Sequence, residues 1–281
     1  MLDQTQDTRQ VVKLSRGQPT SDGAGVKLNR VIGNQTLGES DPFLLLDEFR
    51  SEDGADYIGG FPDHPHRGFE TVTYMLAGRM RHGDNKGHSG LLRPGSVQWM
   101  TAGRGIVHSE MPEQEEGLMW GFQLWVNLSA RDKMTVPRYQ EFDPEQVPVA
   151  TLPGGAKVHV IAGKVGDVAG PVAGIATAPT YLDIELPAGG SAAIDLPRGQ
   201  NAFVYPFEGA ARIGAQIVPR GTLAVLGDGA SVALTAAGRA ARLLLVAAQP
   251  LREPVARYGP FVMNTPEQIR QAIADYQAGR F

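Results

Sequence analysis

The tripeptide His64-Pro65-His66 places two imidazoles at i and i+2. On a β-strand such positions share one face and lie about 7 Å apart along the chain. Downstream, His108-Ser109-Glu110 repeats this geometry with a carboxylate as its second member. If the two strands are neighbours, three imidazoles and one carboxylate meet at a point. That set suits a divalent transition metal with two positions of an octahedron left open. Open positions are what metal catalysis requires, because substrate or dioxygen must reach the ion.

A lone His-x-His is more often surface decoration than a ligand pair, and the second pair is what changes that weighing. Three of the six histidines fall in these two tripeptides. The others, His82, His88 and His159, have no partner at matching spacing. His82 and His88 belong to the polar run Arg81-His82-Gly83-Asp84-Asn85-Lys86-Gly87-His88 and read as solvated. Two carboxylates compete for the fourth ligand position. Glu70 shares parity with His64 and His66 on an unbroken strand, and Glu110 stands two residues from His108. Spacing leaves the two even.

The elements that must position these groups are strands. The chain carries 35 Gly and 20 Pro, recurring as punctuation between short apolar runs. Such runs include 71–76, 96–100, 122–126, 181–186 and 242–247. The run 181–186 alternates and predicts a half-buried strand, whereas 242–247 is continuous and predicts a strand covered on both faces. Prolines and glycines across 142–155 mark a linker, giving domains at 1–140 and 150–281. The stretch from Gly163 to Pro179 reads as an ordered loop or a weak strand pair. Thr265, Pro266 and Gln268 form a helix start with a capping box, and Ile269, Ala272, Ile273 and Tyr276 share one face. Gly279 ends this C-terminal helix.

A weak internal repeat supports two copies of one β-domain. Tyr74 and Gly78 recur as Tyr205 and Gly209, and Arg93-Pro94-Gly95-Ser96-Val97 is echoed by Pro219-Arg220-Gly221-Thr222-Leu223. By the first offset His64 maps to Asp195, His66 to Pro197 and Glu70 to Asn201. No histidine follows His159, so the second copy has no equivalent metal set. Gly78 and Gly95 are read as tight-turn residues, and Gly103-Arg104-Gly105 as a bend that brings His108 inward. Arg104 is a lesser candidate for orienting an anionic substrate. Trp99, Trp120 and Trp125 are read as core.

A chain of 281 residues is long for one domain, and 42% hydrophobic residues provide for two cores. The formal charge of −4, with no basic run, gives no electrostatic footprint for nucleic acid. The absence of Cys removes disulfides, thiolate nucleophiles and Cys-based zinc sites. Met1-Leu2-Asp3-Gln4 shows no secretory pattern and no run is long enough to span a bilayer, so a cytoplasmic location without membrane contact is expected.

Residues 61–74, Phe61-Pro62-Asp63-His64-Pro65-His66-Arg67-Gly68-Phe69-Glu70-Thr71-Val72-Thr73-Tyr74, resemble the first metal motif of the pirin family. Residues 93–112, running from Arg93-Pro94-Gly95 through Gly103-Arg104-Gly105 to His108-Ser109-Glu110-Met111-Pro112, resemble its second. Leu124-Trp125-Val126-Asn127-Leu128 and the tail from Pro250 to Phe281 are also similar. The resemblance implies an all-β bicupin: two β-sandwich or jelly-roll barrels with a C-terminal helix, the metal in the first barrel and the second degenerate. It implies that His64, His66, His108 and Glu110 are the ligands, usually to Fe(II), with Mn, Zn, Ni, Co or Cu also compatible, and it sets Glu70 aside.

Two functional readings follow from the resemblance. In one, the chain is an oxidoreductase similar to quercetin 2,3-dioxygenase. It would open a flavonol-type aromatic substrate with dioxygen, with Glu110 both a ligand and the base for the flavonol hydroxyl. In the other, it is a redox-sensitive iron-binding regulatory protein that acts through a protein partner. A cupin isomerase or hydrolase using manganese or zinc is a third use of the same ligands. An enclosed apolar pocket at the metal would favour the enzyme, and a basic patch there would favour regulation. A monomer is expected, since two cupins in one chain can pack on each other.

Overall fold

The computed structural model describes residues 7–281; the opening residues Met1 to Gln4 lie outside that range. The chain is almost entirely β-strand, with one α-helix, Pro266–Gln277, among the described residues. It divides into two units. In each, a seven-stranded antiparallel sheet accompanies a four-stranded one.

In the first unit the large sheet runs Arg138–Phe142, Val97–Thr101, Phe69–Ala77, Met119–Asn127, Phe43–Ser51, Val26–Ile32, Gln18–Asp22. The small sheet runs Phe61–His66, Ile106–Pro112, Met80–Asp84, Ser89–Leu92. A core of Val26, Leu28, Phe49, Met75, Met80, Leu92 and Met119 draws on both sheets, as the inner faces of a β-sandwich must. In the second unit the corresponding core is aliphatic, with Val158, Leu182, Ile184, Ile194, Val204, Leu234 and Leu243 among its members.

The repeat is structural. Phe69–Ala77 and Asn201–Glu208 hold equivalent central positions, and each ends on a glycine, Gly78 and Gly209, with positive φ. The strand equivalent to Phe61–His66 is Ser191–Asp195, whose buried residues are Ala192 and Ile194. Aliphatic packing there stands where the first barrel carries imidazoles.

The domain boundaries at 1–140 and 150–281 need correction at both ends. The segment up to Gly17 belongs to the second unit, and Leu251–Phe281 belongs to the first. Val11–Arg16 completes the second unit's large sheet by pairing with Thr222–Leu226. The terminal helix packs Ile269 and Ala272 with Phe261, Met263, Phe281 and Val107, so it serves the first unit, which holds His64, His66 and His108. Its capping box at Thr265 and Gln268 is present as expected.

The strand Thr180–Leu186 is covered on both faces, where alternation predicted one. Asp183, in one of its polar positions, is fully buried because Arg242 grips it through bonds of 2.6 to 3.2 Å. The stretch from Gly163 to Pro179 holds a two-stranded pair, Lys164–Val165 with Val168–Ala169. No helix among the described residues is long and apolar enough to cross a membrane.

Candidate metal centre

Phe61–His66 and Ile106–Pro112 are adjacent antiparallel strands, with His108 directly opposite His64. The i, i+2 geometry and this register together bring the three imidazoles onto one face. Their ring centroids lie 4.4 to 5.0 Å apart, and one nitrogen from each falls within 4.8 Å of the others. His66 and His108 are buried.

The donor chemistry fits a divalent cation. His64 Nδ1 lies 2.8 Å from the Pro62 carbonyl, which can only accept, so the proton sits on Nδ1 and Nε2 presents its lone pair. That Nε2 faces His66 Nε2 at 3.0 Å. His108 is buried with no hydrogen-bond partner on either ring nitrogen. Leaving such an atom unpaired costs about 1–3 kcal/mol, and a bound cation removes that cost at the nitrogen that ligates it. Burial, then the His108 and His64 rings, holds the His66 imidazole well below its ordinary range. Burial, then His64 and His82, does the same for His108. Both rings are therefore neutral at pH 7, the state in which imidazole binds a metal.

The two competing carboxylates separate clearly. Glu110 lines the same cavity as His64 and His66, though its oxygens are not part of the close three-histidine cluster. Thr73 Oγ1 donates to Glu110 Oε1 at 2.7 Å, and Gln123 Nε2 donates to Oε2 at 2.9 Å. Glu70 lies elsewhere. The strand expected to be unbroken ends at His66, turns at Gly68 with φ of +90°, and resumes at Phe69 in the other sheet. That turn cancels the parity argument, and Glu70 instead accepts from Thr101 Oγ1 at 2.7 Å.

A cavity of about 400 Å³ opens beside the histidines. That is the size of a small-molecule site. Its walls include Leu28, Leu45, Phe49, Phe61 and Trp125, together with Arg30, Asp47 and Arg257. Trp125 departs from the core role expected of it: it lines the cavity and meets His66 edge-on at 5.2 Å. Trp99 and Trp120 are core. Arg104 is exposed and is not among the lining residues.

His82 corrects another expectation. It is buried, not solvated, and its Nε2 lies 2.6 Å from Glu141 Oε2, which also accepts from Gln98. His88 is exposed and bonds Asp84, while His159 lies 3.2 Å from Glu185.

Sequence reasoning missed Thr73 and Gln123, which face each other across adjacent central strands. The available signal was a polar residue inside each otherwise apolar run. It also missed Arg257, which reaches the cavity from the tail.

Two sandwiches of seven plus four strands, one lined with imidazoles beside a cavity and one filled by an aliphatic core, define a two-domain cupin with one three-histidine centre, suited to a divalent metal, among the described residues. Residues 25–126 match the pirin family model, and residues 181–281 match the model of the pirin C-terminal cupin domain. The chain is 52% identical to a pirin-like protein of Caulobacter vibrioides, over 97% of this chain and 99% of that one. It is 51% identical to a protein of Pseudomonas aeruginosa named putative quercetin 2,3-dioxygenase, over 96% and 97% of the two chains. The crystal structure of a quercetin 2,3-dioxygenase from Acinetobacter baumannii superposes with a TM-score of 0.89 at 33% identity, covering 98% of each chain. The chain belongs to the pirin family.

Proposed function

We propose that the chain is a metal-dependent dioxygenase that opens a flavonol-type aromatic ring with dioxygen at a mononuclear iron site. The observation that carries this reading is the three-imidazole cluster facing a largely apolar cavity. The names of the Pseudomonas and Acinetobacter proteins support the same substrate class. A largely apolar cavity beside the three histidines supports catalysis over the regulatory reading.

His64, His66 and His108 would hold the ion, with Glu110 as fourth ligand. Bound iron supplies Lewis acidity towards the flavonol oxygen and one-electron chemistry towards dioxygen. Glu110 takes the proton from the flavonol hydroxyl at a carboxylate oxygen. Thr73 and Gln123 fix the orientation of that carboxylate through their two hydrogen bonds. Phe49, Phe61 and Trp125 offer apolar faces to a planar ring and keep water from it. His66 is steadied by Trp125 and by Phe69, whose ring lies 5.0 Å away.

The test is an oxygen-electrode assay on protein loaded anaerobically with iron. Oxygen uptake that requires both iron and quercetin, and vanishes in Glu110→Gln, is the expected result. Stoichiometric metal with no uptake across a panel of flavonols would overturn the proposed reaction.

A further inference from the structure

Two arginines line the cavity, and they differ in how far their charge is satisfied. Arg30 Nε and Nη2 donate to the two oxygens of buried Asp47 at 2.9 and 2.7 Å, and Nη2 also reaches Asp22 at 3.0 Å. That bidentate pair occupies its donors. Arg257 has only distant contacts. Its Nη1 lies 3.5 Å from the Leu44 carbonyl and 4.0 Å from Glu39 Oε1, and its Nε lies 3.5 Å from the Gly259 carbonyl. A guanidinium carries five N–H donors and stays charged in proteins. The Arg257 side chain is only 29% exposed, so water can satisfy those donors only in part. Burial pulls its proton affinity down, which Glu39 offsets only partly.

Arg257 is held in place by its ring contact. Its guanidinium carbon sits 4.9 Å from the centre of the Trp125 ring. The same ring also meets His66 edge-on. The cationic group and His66 therefore border one indole, and both line the cavity that a planar aromatic ligand would enter. The backbone at Gly259 and Pro260 completes this wall of the cavity.

We infer that Arg257 anchors an anionic oxygen of the cavity's ligand, so that the pocket selects planar aromatic acids or phenolates over neutral rings of the same shape. This rests on the proposed use of the cavity as a substrate pocket. A ligand anion supplies the close acceptor that Leu44, Gly259 and Glu39 do not. The anchoring role considered for Arg104 passes to a residue of the tail. Selectivity at the end of the ligand remote from the metal then comes from Leu251–Phe281, a segment that contributes no metal ligand.

The experiment is calorimetric titration of metal-free protein with 2-naphthoate and with 2-naphthamide, which differ in charge and little in shape. Wild type should bind the acid about tenfold more tightly. Arg257→Met should abolish that preference, and Arg257→Lys should keep part of it, with thermal melts verifying that each variant is folded. Equal affinity of acid and amide in wild type, or an unchanged preference in both variants, would overturn the assignment. Iron-dependent quercetin turnover is scored separately. Acid preference without turnover would sink the dioxygenase reading and leave Arg257 as the anchor; turnover without acid preference would do the reverse.

Discussion

Lys133 ties the tail to the barrel that carries the three-histidine cluster. Its ammonium is 1% exposed and donates to the Gly68 carbonyl at 2.8 Å, to Asn127 Oδ1 at 2.7 Å and to the Val262 carbonyl at 3.0 Å. Gly68 is the turn between Phe61–His66 and Phe69–Ala77, and Val262 follows the tail residues that line the cavity. Lys133→Met keeps the aliphatic stem and removes all three donors. Three buried acceptors left unpaired cost roughly 2 kcal/mol each, or about 6 kcal/mol in all. Against this, burial lowers the Lys133 ammonium from 10.5 to about 8, only partly offset by Glu253 and Glu39. Carrying that charge at neutral pH costs about 3 kcal/mol, which methionine relieves. The net expectation is a loss of about 3 kcal/mol at pH 7.5. The sign of the pH dependence follows from the same shift. Between pH 8 and 10.5 the unfolded chain binds more protons than the folded one, so wild-type stability rises with pH across that window. From pH 7.5 to 9.5 the gain from this group is about 2 kcal/mol, and Lys133→Met should lack it. All three tryptophans lie in the unit that holds the three histidines, so urea unfolding followed by tryptophan emission reads that unit alone. A variant within 0.5 kcal/mol of wild type, or one with the same gain at pH 9.5, would refute the reasoning.

Replacing His66 with Ala should strip the metal and leave a folded protein, because the barrel's core cluster does not include the ligands; elemental analysis and circular dichroism check both halves. Glu110→Gln should keep the three imidazoles in place and lower quercetin turnover by about 10²–10⁴, the usual worth of a positioned base, as read by initial rates. A methyl group at Gly90 would run into His82 Nε2 and the Glu141 carboxylate, so Gly90→Ala should break that pair. A loss of about 1–3 kcal/mol in urea unfolding is expected. An unchanged midpoint would show that the pair moves aside freely.

Much of the site was legible because it is local. His64, His66 and His108 sit at strand spacing, and strand neighbours in one sheet need only the correct register to converge. Glu110 and Glu70 could not be separated by spacing, since the decision lay in a turn at Gly68 that exchanges one sheet for another. His82 was misread because its partner, Glu141, comes from the far edge strand of the large sheet. The exchanged ends were illegible for a related reason. Val11–Arg16 and Leu251–Phe281 read locally as an ordinary strand and an ordinary capped helix, and nothing local says which barrel receives them. Trp125 reads as core because its strand is apolar, and only the cavity beside it exposes one edge.

The central claim is that the three histidines hold one catalytic metal per chain. Its most direct test is metal content of wild type and His66→Ala after loading with Fe(II) without oxygen, paired with X-ray absorption at the iron edge. One iron per wild-type chain with imidazole scattering from three rings is expected, and less than a tenth of that iron in the variant. Sub-stoichiometric iron bound equally by both proteins would contradict it.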